Sequence, residues 1–193
     1  MMPMRFTDIS NNNKRGLIMK SLLEHLSQYA YYHQDRRNVA THFIGIPMIV
    51  LAIAVLLSRP NFSVFDVSLT PAIIVVVLSS LFYLSLHLVI GLAMSSLLIL
   101  SLFIADYLAA QTTVIWLVSG LGLFIVGWIF QFIGHYFEGK KPAFLDDVIG
   151  LIIGPLFVFV EFLFVLGIKP EWQKQIEQFC DLKNQKNQVT DGF

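Results

Sequence analysis

From Pro60 through Gly139 the sequence contains no lysine and no arginine. Charge is scarce elsewhere too: Asp, Glu, Lys and Arg make up 13 % of the 193 residues, against roughly 25 % in typical soluble domains. Hydrophobic residues supply 56 %, and the mean hydropathy is +0.70. That composition excludes a soluble domain and indicates an integral membrane protein. The formal net charge is zero, so no nucleic-acid partner is expected. The single cysteine, Cys180, excludes an internal disulfide. There is no internal repeat. The five histidines are too few and too scattered for the clustered motifs of di-iron membrane desaturases and hydroxylases.

What is present is a series of long apolar runs. The first covers Phe43 to Ser58, with Pro47 near its start, where proline kinks a helix unless it sits in the first turn. A tract of about forty residues, Leu69 to Ala110, is twice the length that crosses ~30 Å of hydrocarbon. It therefore predicts a hairpin of two spans, with its turn near His87 to Ser95, around Gly91. A fourth span covers Thr113 to Gly134. Ile149 to Ile168 is long enough for a fifth, but Gly154-Pro155 and Glu161 interrupt it, so it spans or re-enters. Ahead of the runs, Met19, Leu22, Leu23, Leu26, Tyr29 and Ala30 keep helical spacing within Gly16 to His33, an amphipathic helix. The expected fold is thus an all-α integral membrane protein. Four transmembrane helices form a bundle, joined by a fifth spanning or re-entrant segment and an amino-terminal amphipathic helix. The expected organisation is a mobile polar tail over 1–15, a membrane-embedded catalytic domain over 16–170 and a polar carboxy-terminal tail over 171–193.

Six of the thirteen Lys and Arg precede the first span, which predicts a cytoplasmic amino terminus. Four spans then bring the ends bearing His42, His87 and His135 to that same side, with Lys140 and Lys141 beside them. Gln131, His135 and Glu138 fall at i, i+4 and i+7, on one helical face. His33 continues the apolar face of the amphipathic helix, whereas His25 lies opposite and is expected to be solvated. His42 follows Asn38 by one turn. His33, His42 and His135 with Glu138 make a competent ligand set for iron or another first-row metal, with His87 a further nitrogen candidate. The alternative is that each histidine is merely an amphipathic interfacial residue of a small transporter or scaffold. Glu161 is flanked by Phe159, Val160, Phe162 and Leu163. A carboxylate buried there costs a few kcal/mol unless paired or functional, so it is either a structural hydrogen-bond partner or a candidate catalytic group.

Tyr32-His33 with Asn38, His42 and Pro47 resembles the amino-terminal signature of the yeast-type 2-hydroxy fatty acid dioxygenases, the family long catalogued as DUF962. Gly127-Trp128-Ile129-Phe130-Gln131-Phe132-Ile133-Gly134-His135, followed by Phe137-Glu138 and Pro142-Ala143, resembles its second signature. Glu161-Phe162-Leu163-Phe164 with Leu166-Gly167 is similar to its carboxy-terminal block. Two departures stand out. This chain has His33-Gln34 where the family pattern has two adjacent histidines, and His135 to Glu138 is one residue shorter than the family's spacing. The resemblance implies a membrane enzyme that uses Fe(II) and O2 to shorten a long-chain 2-hydroxy fatty acid by one carbon. It also implies His33, His42 and His135 as iron ligands, with Glu138 as a fourth ligand or a partner orienting an imidazole. Fe(II) is the one cofactor expected, since no organic cofactor has a visible motif, and the acyl tail is expected between spans, among membrane lipid. The expected location is a bacterial inner membrane, with the endoplasmic reticulum as the alternative.

Overall fold

The computed structural model describes residues 21–64, 67–139 and 149–190. The tail over 1–15, the start of the amphipathic helix and Lys140-Lys141 lie outside them. Among these residues, seven helices and one small hairpin follow in order: α1 (Leu22–Tyr32), α2 (Arg36–Ser58), β1 (Phe62–Val64), β2 (Val67–Leu69), α3 (Pro71–Leu86), α4 (Leu88–Ala109), α5 (Thr113–Glu138), α6 (Ile149–Val165) and α7 (Pro170–Thr190). Helices α2, α4 and α5 are long and apolar enough to cross a membrane. At 1.5 Å per residue, α3 reaches only about 24 Å, and it is a shorter apolar helix.

Each helix start has a local cause. Ser21 and Glu24 form a capping box at α1: the Ser21 N–H donates to Glu24 Oε2 at 2.6 Å, and the Glu24 N–H donates to Ser21 Oγ at 3.3 Å. Asp35 caps α2 by accepting the Arg37 N–H at 2.8 Å. The helix therefore starts at Arg36, ahead of the apolar run, and Pro47 falls in its interior rather than its first turn. The α3–α4 corner lies at His87, whose Nδ1 accepts the Ile90 N–H at 3.3 Å. Gly91, expected at the turn, sits inside α4. A Cβ there would lie 2.6 Å from the Cα of Leu84, so glycine is what lets the two helices close up.

The buried face of α5 has almost no side chains. Its buried residues are Gly120, Gly127, Gln131, Gly134 and His135, with the glycines two turns apart. A Cβ on Gly127 would stand 2.7 Å from Ile49 Cγ1 and 3.0 Å from the Gly45 carbonyl oxygen of α2. The two backbones thus meet closely along a stripe, as small residues permit where apolar side chains gain nothing over lipid. At the far end, Trp116 Nε1 donates to the Val55 carbonyl at 2.8 Å and Arg59 lies over the Trp116 ring. The segment after Arg59 carries the β1–β2 hairpin.

The segment expected as a polar tail over 171–193 is helical through Thr190 and docked. Trp172, Ile176, Phe179 and Cys180 repeat at helical spacing, and Ile176 and Cys180 are buried in the cluster that holds Leu22, Leu26 and Phe157. Its many polar residues hide this stripe from a composition average. Helix α7 turns from α6 by 119°, after Gly167 and Lys169 take positive φ. It begins beside His87, where Trp172 meets that ring at 5.4 Å. Further along, Asn184 Nδ2 donates to Gln34 Oε1 at 3.1 Å. Helix α7 therefore lies across the end of the bundle that carries the α1–α2 turn.

Candidate metal centre and its apolar groove

Three elements deliver one imidazole each to a common point. His33 ends α1, where its ring stacks on Tyr29 at 4.1 Å and 3°. His42 stands on the second turn of α2 and His135 on the last turn of α5. The ring centroids are 4.7 Å (His33–His42), 5.0 Å (His33–His135) and 5.2 Å (His42–His135) apart. One ligand nitrogen of each lies within 4.8 Å of the other two, and all three residues are buried. No ion is needed to explain any one of these rings, but three buried imidazoles at such range are a donor set for a first-row metal.

The tautomers follow from the backbone. His33 Nδ1 lies 2.8 Å from the Tyr29 carbonyl and His42 Nδ1 2.9 Å from the Asn38 carbonyl. A carbonyl only accepts, so each Nδ1 carries its proton and Nε2 keeps the lone pair a metal requires. The residues present therefore fit a metal ion. Tyr29 is held by Phe157, 4.8 Å away, and burial pushes its phenol up, so it stays neutral.

Glu138 does not join the cluster. Its Oε1 accepts the Gln34 N–H at 3.0 Å, while Oε2 accepts the Asp35 N–H at 2.8 Å and Asn38 Nδ2 at 3.1 Å. Three donors occupy the carboxylate, which leaves it a clamp between the end of α5 and the turn between α1 and α2. The effect reaches an imidazole indirectly, because Asn38 also supplies the carbonyl that holds His42. Arg37, through its side-chain hydrogen bond, keeps the Asp35 carboxyl down at about 2.

The remaining candidates lie elsewhere. His87 spends its Nδ1 on the cap of α4 and packs against Trp172, so the fold does not bring it to the other imidazoles. Glu161 is half-buried on α6 and outside the cavity lining. His25, expected to be solvated, is half-buried with its ring edge-on to Phe82 at 6.1 Å.

A cavity of about 120 Å³ opens from the cluster. Tyr29, His33, His42, Gln131 and His135 form its polar end. Beyond them Ile46, Ile49, Val50 and Ile53 run along one face of α2, opposite Trp128 of α5 and Leu151 and Pro155 of α6. The groove therefore descends along a helix long and apolar enough to cross a membrane, and at its far end Ile53 is 38 % exposed. An amphiphile with a polar head and an apolar tail matches this lining.

Sequence reasoning placed Gln131 on the face of His135 but gave it no role. It is 5 % exposed and lines the polar end of the cavity. The signal was available: a lone amide on an otherwise glycine-lined helix face needs a partner.

The chain matches the family described as "2-hydroxy-palmitic acid dioxygenase Mpo1-like" over residues 19–166. It is 37 % identical over 165 residues to the 2-hydroxy-palmitic acid dioxygenase MPO1 of Saccharomyces cerevisiae, an alignment covering 84 % of this chain and 91 % of the yeast protein. No solved structure matches it.

Proposed function

This chain belongs to the Mpo1-like family, and from that premise we propose that it is an Fe(II)-dependent dioxygenase of long-chain 2-hydroxy fatty acids. The reaction takes a 2-hydroxy acid and O2 to the fatty acid one carbon shorter, CO2 and water. Its electrons balance without a further reductant: oxidising the α-carbon and releasing the carboxyl group gives four, and O2 takes four. That balance fits a chain with no visible organic-cofactor motif.

The observation that carries the proposal is the meeting of His33, His42 and His135 at the mouth of an apolar groove. These three residues would hold the iron, which when bound supplies a docking point for the substrate's oxygens and the electrons that activate O2. The protein's own part is positional. The Tyr29 and Asn38 carbonyls fix two imidazoles, and Glu138 fixes the turn between them. The stripe on α2 takes the acyl tail, where each buried methylene contributes about 0.8 kcal/mol. The walls of Trp128, Leu151 and Pro155 limit water around the reacting carbon. A scaffold or transporter with interfacial histidines has no reason to bury all three rings together.

The test is product analysis by mass spectrometry on Fe(II)-loaded protein in nanodiscs supplied with 2-hydroxypalmitate. Pentadecanoic acid and CO2 in equal amounts, formed in air and not under argon, are expected. A folded, iron-loaded protein that leaves 2-hydroxypalmitate intact overturns the assignment.

A further inference from the structure

Among the polar residues at the head of the groove, Gln131 has no part in holding a metal. Its side chain is buried, one helical turn before His135, and it lines the cavity together with His42. Its Nε2 has no hydrogen-bond partner among the described residues. A buried primary amide without a partner carries a desolvation penalty, which a ligand in the cavity relieves. The nitrogen stands against the main chain of α2, where a Cβ on Gly45 would collide with it. Gly45 on α2 is what makes room for the nitrogen, and a half-turn about the last side-chain bond exchanges its place with the amide oxygen.

The charge balance of the cavity says what that ligand is. Among the described residues no lysine or arginine lines it, and its other polar groups are imidazoles and the Tyr29 phenol. A carboxylate entering this apolar-walled site has lone pairs beyond those a metal would take, and these need N–H or O–H donors from the protein. On the reading that the groove takes a fatty acid, we infer that Gln131 is a positioning residue: its Nε2–H donates to the substrate's carboxylate and sets how the head lies beside the three imidazoles. It touches the head, not the tail, so its contribution is the same for every chain length.

The experiment is equilibrium binding of radiolabelled ligands to protein in nanodiscs under argon, with and without Fe(II), so that no turnover is involved. The ligands are 2-hydroxypalmitate, palmitate and 1,2-hexadecanediol, compared in wild type and in Gln131→Met, which keeps length and volume without the donor. The expected result is a ~10- to 100-fold loss of affinity for both acids, the size of one hydrogen bond to a charged group. The diol should bind as before, and Fe(II) content should be unchanged. Equal affinities in wild type and variant overturn the inference. So does a loss confined to 2-hydroxypalmitate, which would place the amide on the hydroxyl group. Should Gln131→Met not fold, Gln131→Leu decides: an apolar group without the donor must weaken both acids at least as much and spare the diol. The binding comparison is independent of product formation. A wild-type protein that binds both acids but makes no pentadecanoic acid refutes the reaction and leaves the role of Gln131 standing.

Discussion

The Oε2 atom of Glu138 accepts the backbone N–H of Asp35 at 2.8 Å, joining residues 103 positions apart. Asp35 is the first residue outside α2, two positions after His33, and Glu138 is the last residue of α5, three positions after His135. One carboxylate therefore sets the distance between the segments that carry the three imidazoles. Glu138→Ala is expected to weaken Fe(II) binding about 10- to 100-fold, the usual cost of losing a group that orients ligands. Glu138→Gln should lie between the two, because its amide oxygen accepts one of the N–H groups. Competition with a chelating dye measures the affinities. Wild-type affinity in the alanine variant would show that the clamp is idle.

The imidazoles act as a unit, so their losses should not add. His33→Ala, His42→Ala and His135→Ala are each expected to abolish stoichiometric iron, with the double variants no worse than the singles. His87→Ala should keep its iron and lose about 1 kcal/mol of stability, the worth of a helix cap. Metal analysis paired with thermal unfolding separates the two behaviours. Iron lost from the His87 variant would contradict the separation of that ring from the cluster.

Along α5, glycine is a packing requirement only where α2 lies against it. Gly127→Ala pushes a methyl into Ile49 and the Gly45 carbonyl, and overpacking of this kind costs about 1–3 kcal/mol. Gly122 has nothing within 4 Å of a built Cβ. Gly122→Ala should therefore be neutral or stabilising by a few tenths to about 1 kcal/mol, through helix propensity alone. Unfolding temperatures in one detergent test the contrast, and equal shifts in the two variants would refute it.

Ile53 marks the far end of the groove. Ile53→Phe should shorten the preferred acyl chain, since each methylene displaced from the groove forfeits about 0.8 kcal/mol, or about fourfold in affinity. A series of 2-hydroxy acids differing in length reads this directly. A preference unmoved by the substitution would place the tail elsewhere.

The membrane class, the helical bundle and the order of its apolar segments were all legible in the chain, because hydrophobic run length is a one-dimensional property. So was the convergence of His42 and His135 on one side, which follows from counting crossings. Helix ends were less legible. Asp35 and His87 each cap a helix by a side-chain contact, and such contacts move boundaries away from where hydropathy changes. The docked α7 was hidden because four stripe residues, Trp172, Ile176, Phe179 and Cys180, sit among many polar ones.

Local sequence settled which residues have the chemistry to bind a metal or a fatty acid, since imidazole and amide donors are properties of the side chain. Only the folded arrangement decided what each one does. Glu138 has the chemistry of a ligand, yet three N–H groups reach it first. Gln131 looked like one more polar residue at a helix end, yet it lines the cavity with its amide nitrogen buried and unpaired among the described residues. Hydrogen-bond partners a hundred residues away are fixed by packing, and packing is not written at any single position.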